Sequence, residues 1–473
     1  MQNQFDDTIC APATGSGGAI AVIRVSGPQA IALTDCLFSG GKPLADAAGY
    51  SLHFGTIRDG EGVLVDEVLV SLFRAPHSYT GEDAVEISCH ASDYIVSRIL
   101  ALLVSGGARM AEPGEFTKRA FLNGKMDLAQ AEAVADLIES QTAASHRIAI
   151  NQLKGGFSDE LAAMRTEMLQ LASLLELELD FSEEDVAFAD RQRLSELVEA
   201  VLGQIRRLIG SFRLGNAIKN GVPVAIVGNT NSGKSTLLNT LLGEDRAIVS
   251  SIPGTTRDTV EETLTLDGVL FRFIDTAGLR ESNDEIERIG IGRSYEKLSS
   301  ADLILAVLDL SAPQESIRVS IEDIVSRCNS NQRVIFLLNK VDVVSSSTIA
   351  SIRVILSPYL TEDRGAFVLS AKQRLGIDDL LLAITEKYRS LQTGAETTLV
   401  SNVRHLEALQ NAESALSRVR EGLGNPDDPA SALPSDLLAQ DLREALWHLA
   451  SIVGEVTTDE ILGNIFQKFC IGK

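Results

Sequence analysis

The spacing of apolar positions changes character three times along the chain. Over residues 19–25 and 84–89 apolar side chains alternate by two, so Ile20, Val22 and Arg24 share one strand face, with Ala21, Ile23 and Val25 on the other. In the second run Val85, Ile87 and Cys89 oppose Glu86, which places Arg24 and Glu86 on strands that hold side chains firmly. From about residue 127 the period becomes helical, through Leu128, Ala131, Ala135 and Ile138, then Leu161, Met164, Met168, Leu171 and Leu175, and it persists to about Leu214. Period-two, glycine-rich patterning returns from Val222 to about Arg389. After the polar stretch 392–398 the helical spacing resumes, marked by Leu438, Leu442, Leu446, Leu449 and Val453. Residues 1–120 therefore read as an α/β domain, 121–215 and 391–473 as two halves of one helical domain, and 216–390 as an α/β domain inserted between them. An insertion of that kind could pass a movement of the inserted domain straight into the bundle.

Length supports the division, since 473 residues exceed one core and suggest about three domains at ~100–200 residues each. No apolar run approaches the ~18 residues of a membrane span, and the first residues lack a basic leader, so a cytoplasmic protein without membrane association is expected. The five cysteines, Cys10, Cys36, Cys89, Cys328 and Cys470, form no CxxC pair and read as reduced thiols rather than a zinc site or disulfide framework. Cys470 stands fourth from the end, but Gly472 and Lys473 do not suit a prenylation box; it reads either as a reactive tail thiol or as a small buried residue. The charge of −23, from 42 basic and 65 acidic residues, disfavours a large nucleic-acid surface on this chain. The acids Glu176, Glu178, Asp180, Glu183, Glu184 and Asp185 read as a solvated helix face and its loop.

The inserted segment carries guanine-nucleotide chemistry. Residues 222–228 form an apolar run feeding the loop Gly228-Asn-Thr-Asn-Ser-Gly-Lys-Ser235, and a helical pattern through Leu237, Leu238, Leu241 and Leu242 follows, as a phosphate-binding loop requires. Backbone N–H groups around Gly233 should cradle phosphates, Lys234 should reach the β and γ oxygens, and Ser235 should hold Mg²⁺, with Ser232 and Thr236 completing the loop's contacts. Asp275, ending the strand 271–275, should support the metal, and the N–H of Gly278 should sense the γ-phosphate. In Asn339-Lys-Val-Asp342, Asp342 can accept from the guanine ring N–H and amino group while Asn339 and the Lys340 stem flank the base; Ser370-Ala371-Lys372 completes the set. Leu279 stands where Ras-type proteins carry the water-orienting glutamine, so hydrolysis needs another device. Any of Asp284, Glu285 and Glu287 could supply it.

Further motifs bear a resemblance. Residues 254–258 (GTTRD), 275–281 (DTAGLRE), 120–132 (AFLNGKMDLAQAE) and 469–473 (FCIGK) together resemble the MnmE (TrmE) family of tRNA modification GTPases over essentially the whole chain. The resemblance implies a homodimer, formed through a folate-binding N-terminal domain, that works with the FAD protein MnmG (GidA). Together they would place an aminomethyl or carboxymethylaminomethyl group on carbon 5 of the tRNA wobble uridine. It implies 5-formyl- or methylene-tetrahydrofolate bound by Arg24, Glu86, Lys125 and Lys473, and GTP hydrolysed when two G domains meet around K⁺. The K⁺ ligands would be Asn231, Ser250, Ile252 and Thr255, all oxygen donors suited to a hard cation; Thr256 would complete Mg²⁺ coordination and Glu287 would position water. The partner could supply the basic tRNA surface this acidic chain lacks. His90-Ala91-Ser92 replaces the family's His-Gly-Gly, which puts the loop backbone near Glu86 in question. Two rival readings remain: a ribosome-assembly GTPase, which would need a basic RNA-binding module, and a folate-binding scaffold with a regulatory G domain.

Overall fold

The computed structural model of the chain describes residues 6–15, 17–180, 191–243, 262–274, 301–329, 332–388, 398–424, 433–467, 469 and 472. They fall into two compact units: Met1–Ile138, Gln152–Leu202 and Asn411–Lys473 form one, Glu139–Asn151 and Gly203–Gln410 the other.

The first unit opens with β1 (Ile9–Pro12), β2 (Ile20–Ser26), α1 (Ala30–Leu37), β3 (Phe38–Gly40), β4 (Ser51–Arg58), β5 (Leu64–Phe73), β6 (Ala84–His90), α2 (Asp93–Ser105), β7 (Arg109–Met110) and α3 (Glu115–Leu122). The strands form one sheet in the order β3-β4-β5-β6-β2-β1-β7, antiparallel but for the β1–β7 pair. The alternation read in the sequence holds: Ala21, Ile23 and Val25 pack with Val85, Ile87 and Cys89 against α1 and α2 through Ile31, Ile99 and Leu103. Each such apolar side chain, fully buried, contributes ~1.5–3 kcal/mol, so a one-residue slip of β2 would forfeit several of these at once. The opposite face carries Arg24 and Glu86, which stand directly across from each other in the β2–β6 register.

Helices follow: α4 (Leu128–Glu139), α5 (Ala143–Leu153), α6 (Gly156–Asp180) and α7 (Arg191–Asn220), the last running from one unit into the other. The 161–175 stripe is buried as its spacing predicts.

The second unit's sheet comprises β8 (Val222–Val227), β9 (Glu262–Leu266), β10 (Val269–Phe273), β11 (Leu303–Asp309), β12 (Arg333–Asn339) and β13 (Arg364–Val368) in the order β13-β12-β11-β8-β10-β9. Its helices are α8 (Lys234–Leu242), α9 (Gln314–Arg327), α10 (Ser346–Leu356) and α11 (Ile377–Tyr388). All pairings are parallel except β9–β10. Strands buried on both faces explain the near-continuous apolar runs of β8, β11 and β12. β8 lies between β10 and β11, the reversal point of the strand order, and so the loop after it opens where doubly wound sheets hold ligands. This is a Ras-like α/β domain, inserted in chain order between parts of the first unit.

The chain closes with α12 (Val403–Gly422), α13 (Ser435–Val453) and α14 (Asp459–Phe466). On α13 the buried stripe is Leu438, Leu442, Ala445, Leu449 and Ile452, whereas Leu446 and Val453 are half-buried at its margin. Arg165 on α6 pairs with Glu455, just past α13, at 2.7 Å. α14 returns Leu462 and Phe466, with Phe469 beyond, to Leu128 and Ala131 of α4. Among the described residues no helix is long and apolar enough to cross a membrane.

Candidate functional site

The loop between β8 and α8 is shaped by two glycines. Gly228 has φ +150° and Gly233 φ +101°; a Cβ on Gly228 would collide with the Val307 carbonyl, and one on Gly233 with Asn339 Nδ2. Gly233 begins α8 with no side-chain cap, so the first-turn N–H groups are left for an anion, which the helix dipole also favours. Lys234 Nζ donates to the carbonyls of Gly228 at 3.0 Å and Asn229 at 2.9 Å, lying folded over the loop where phosphate oxygens would take those bonds. Ser235 and Thr236 are exposed on the first turn, Ser232 is buried, and Asn231 is exposed in a left-handed conformation at φ +60°. A phosphate chain fits this donor set, and the Ser235 hydroxyl could take one position of a Mg²⁺ shell.

At the ends of β12 and β13 the base-recognition motifs come together. Asn339 is buried; its Nδ2 donates to the Ser232 carbonyl at 2.8 Å and its Oδ1 accepts from the Ala371 N–H at 3.0 Å. One amide thus joins the phosphate loop to the Ser370–Lys372 loop. Ser370 is buried, and its N–H and carbonyl pair with Leu375, closing a tight turn that leaves Lys372 exposed. Thr240 of α8 donates to the Ala371 carbonyl at 3.0 Å and Arg374 Nη2 to the Gly243 carbonyl at 3.1 Å, so α8 braces the same turn. Lys340 has φ +66°, a conformation non-glycine residues seldom adopt, and its Nζ is 2.6 Å from Asp309 Oδ2. Asp342 is exposed in the short 3₁₀ turn Val341–Val343, its carboxylate accessible to a base. Sequence reasoning missed Asp309, although an acid closing the apolar strand LILAVLD was a visible signal.

Ser250, Ile252, Thr255, Thr256, Asp275, Gly278 and Glu287 lie outside the described residues, as do Cys470 and Lys473. Of the residues expected to hold the nucleotide, Asn231, Ser232, Gly233, Lys234, Ser235, Thr236, Asn339, Lys340, Asp342, Ser370, Ala371 and Lys372 lie within the described part.

A second constellation lies in the first unit. Arg24 Nη2 is 2.9 Å from Glu86 Oε1, and its Nη1 donates to the Gly472 carbonyl at 3.1 Å, which brings the chain's tail to β2. The Arg24 guanidinium also stands 5.3 Å from the Tyr79 ring centroid and 5.5 Å from that of Phe116. Burial raises the Tyr79 phenol against the opposing pull of the Thr117 hydroxyl and Arg24. Lys125 is exposed and donates from Nζ to the Pro76 carbonyl at 3.0 Å, on the segment that leads to Tyr79. A carboxylate beside cationic donors suits a ligand with both ring N–H groups and acid groups, such as a folate. The replacement of glycines at Ala91 and Ser92 carries no backbone strain, because neither has positive φ. Ser92 is extended at φ −85° as the residue before α2, and the Ala91 N–H bonds the Ala19 carbonyl at 3.1 Å. His90 is held in place by Asp66, which accepts from its backbone N–H and stands 2.8 Å from its Nδ1. Among the described cysteines, Cys10, Cys36, Cys89 and Cys328 are free thiols; burial pushes Cys10 and Cys89 up to about 11, which makes them inert.

Two family models match this chain: the "GTP-binding protein TrmE N-terminus" over residues 8–125 and the "MnmE helical domain" over residues 128–470. The "tRNA modification GTPase MnmE" of Bacteroides thetaiotaomicron is 51% identical over 470 residues, with 99% of each chain covered. Proteins of the same name from Parabacteroides distasonis (50% identical, 98% of this chain and 100% of that one) and Cytophaga hutchinsonii (49%, 99% and 98%) align equally fully. The chain belongs to the MnmE family of tRNA modification GTPases.

Proposed function

We propose that this GTPase, with an FAD-containing MnmG partner, uses GTP hydrolysis to drive addition of an aminomethyl or carboxymethylaminomethyl group to carbon 5 of the tRNA wobble uridine. The GTP part of the reading is carried by the buried amide of Asn339, which links the phosphate loop to the loop around Ala371 in the arrangement a nucleotide would bridge, and the tRNA part by the family to which the chain belongs. Lys234 would turn from the Gly228 and Asn229 carbonyls onto β and γ oxygens, Asp342 would accept from guanine, and Ser370 and Ala371 would close over the base. Ser235 and Thr256 would hold Mg²⁺, with Asp275 behind them; Gly278 would sense the γ-phosphate. Asn231, Ser250, Ile252 and Thr255 would hold K⁺. The K⁺ ion, when bound, would supply in place of an arginine finger a fixed positive charge against the negative charge on the phosphate oxygens. Glu287 would orient the attacking water that Leu279 cannot hold.

In the same account Arg24, Glu86, Lys125 and Lys473 bind a tetrahydrofolate one-carbon donor, 5-formyl- or methylene-substituted. The reading is supported by the Arg24–Glu86 pair and by the tail carbonyl of Gly472 on Arg24. When bound, the folate supplies the one-carbon unit; Arg24 and Glu86 orient it. A homodimer is supported by the sheet face that carries Arg24. Leu52, Phe54, Leu69 and Ile20 are 62%, 67%, 42% and 65% exposed, and Phe54 stands opposite Leu69 in the β4–β5 register. An apolar face of this kind on a soluble domain suits a second copy. The family assignment leaves the ribosome-assembly reading without support.

Reconstitution tests the proposal. The chain, MnmG, unmodified tRNA, GTP, MgCl2, KCl, methylene-tetrahydrofolate as carbon donor and an amine as nitrogen donor (ammonium for aminomethyl, glycine for carboxymethylaminomethyl) are combined, and nucleosides are analysed by mass spectrometry. A modified wobble uridine that disappears when GTP or the folate is omitted is expected. Unmodified uridine in the full mixture, or modification indifferent to the folate, would contradict it.

A further inference from the structure

Asp309 is the last residue of β11 and stands across from Asn339 in the β11–β12 register. Its two carboxylate oxygens do different work. Oδ1 accepts from the Ser311 N–H at 2.9 Å and the Ser311 hydroxyl at 2.6 Å, closing the turn after the strand. Oδ2 takes the Lys340 ammonium at 2.6 Å. Asp309 is 18% exposed and Lys340 34%, so the pair is shielded enough for the charge-assisted bond to count, yet Lys340 keeps part of its surface for a ligand. Burial works to raise the Asp309 carboxyl, but Lys340 and Ser311 outweigh it and hold it below the usual carboxylate range, so it is ionised at neutral pH.

Lys340 needs such a hold. It follows the buried, doubly bonded Asn339 and precedes the turn that carries Asp342, and its backbone is in the left-handed region. A four-carbon stem is otherwise free to sweep through solvent, and ordering it on nucleotide binding would cost rotamer entropy. With Nζ tethered to Asp309, the stem is set before the base arrives.

We propose that Asp309 is a positioning residue of the guanine site: by anchoring the Lys340 ammonium it presets the apolar stem that flanks the base, and so slows nucleotide release. This rests on the reading of Asn339, Lys340 and Asp342 as the guanine site. Asp309 does not touch guanine's distinguishing N–H groups, so it contributes residence time without contributing base choice.

Asp309→Asn separates the roles, because asparagine keeps an Oδ1 acceptor for Ser311 while the group facing Lys340 becomes an amide N–H that cannot accept. Dissociation of fluorescent GDP and IDP analogues from the full chain is followed by stopped flow for the wild type, Asp309→Asn and Asp342→Asn, with thermal melting alongside. Loss of a charge-assisted bond predicts release roughly tenfold faster for both nucleotides in Asp309→Asn, with their ratio unchanged and the melting temperature lowered by no more than a few degrees. Unchanged release, a changed GDP-to-IDP ratio, or a melting transition that already begins at the assay temperature would each overturn the proposal. Asp342→Asn should by itself abolish the preference for GDP. If it does not, the underlying guanine-site reading fails, an outcome distinct from failure of Asp309.

Discussion

Asn339 donates its side-chain amide to the Ser232 carbonyl at 2.8 Å, tying the end of β12 to the phosphate loop that follows β8. The other end of that amide accepts from the Ala371 N–H, so Asn339→Ala leaves a buried carbonyl and a buried N–H without their partner. At ~1–3 kcal/mol for each group stranded, nucleotide affinity should fall roughly 10- to 100-fold. Calorimetric titration with GDP checks this; an unchanged Kd would mean that the two loops hold their places without the link.

Asp342 is exposed and free to accept from a base. Asp342→Asn exchanges an acceptor for a donor and should move preference from guanine toward xanthine nucleotides. Competition between GTP and XTP measures it, and retained GTP affinity would remove Asp342 from the role of base selector.

Gly472 adopts φ +96°, and a Cβ there would collide with the Pro12 carbonyl. Gly472→Ala should therefore displace the tail from Arg24. Tetrahydrofolate binding should weaken at least tenfold, as it should when Lys473 is deleted, while GTP turnover is spared. Equilibrium dialysis with 5-formyl-tetrahydrofolate, read beside a GTPase assay, separates the effects. Normal folate binding in both variants would detach the tail from that site.

Arg119 is fully buried and bonds Glu115 at 2.9 Å and Glu82 at 3.2 Å. Arg119→Met keeps much of the volume but leaves buried Glu82 with the Ser26 hydroxyl and no cation among the described residues, while Glu115 keeps Arg109, and should destabilise the first unit by ~3 kcal/mol. Burial would raise Glu115, but Arg109, the Glu112 N–H and Arg119 together lower it from its ordinary 4.5. A carboxyl depressed on folding stabilises above its unfolded value, and that share is lost as pH falls through the lower folded value. Urea denaturation should thus show wild-type stability declining below about pH 4.5, with a shallower decline in Arg119→Met. Parallel pH profiles for the two would mean that the Arg119 network is not what sets Glu115.

The sequence made the strands legible wherever one face of a sheet is buried. The alternation in β2 and β6 put Arg24 and Glu86 on a common face, and the register then sets them opposite. The phosphate loop was legible because its glycines, lysine and serine sit at spacings that only a strand-loop-helix can use. Asp309 was not, since its partner Lys340 follows another strand, β12, and periodicity says nothing of which strands are neighbours. The rest of the Arg119 network was hidden for the same reason: Glu115 and Arg119 lie one turn apart on α3, but Asp7 and Glu82 reach Arg119 only once the sheet has formed. Leu446 and Val453 fit the helical period of α13, yet lie at the margin, because the stripe through Ala445 and Ile452 is the one its neighbours cover.

GTP turnover measured against protein concentration, in matched KCl and NaCl, tests the account most directly. If two G domains meet around K⁺ held by Asn231, with Glu287 placing the water, the rate rises with protein concentration in KCl and stays low in NaCl, and Glu287→Ala binds GTP but barely turns it over. Equal slow rates in both salts, or full turnover in Glu287→Ala, would contradict it.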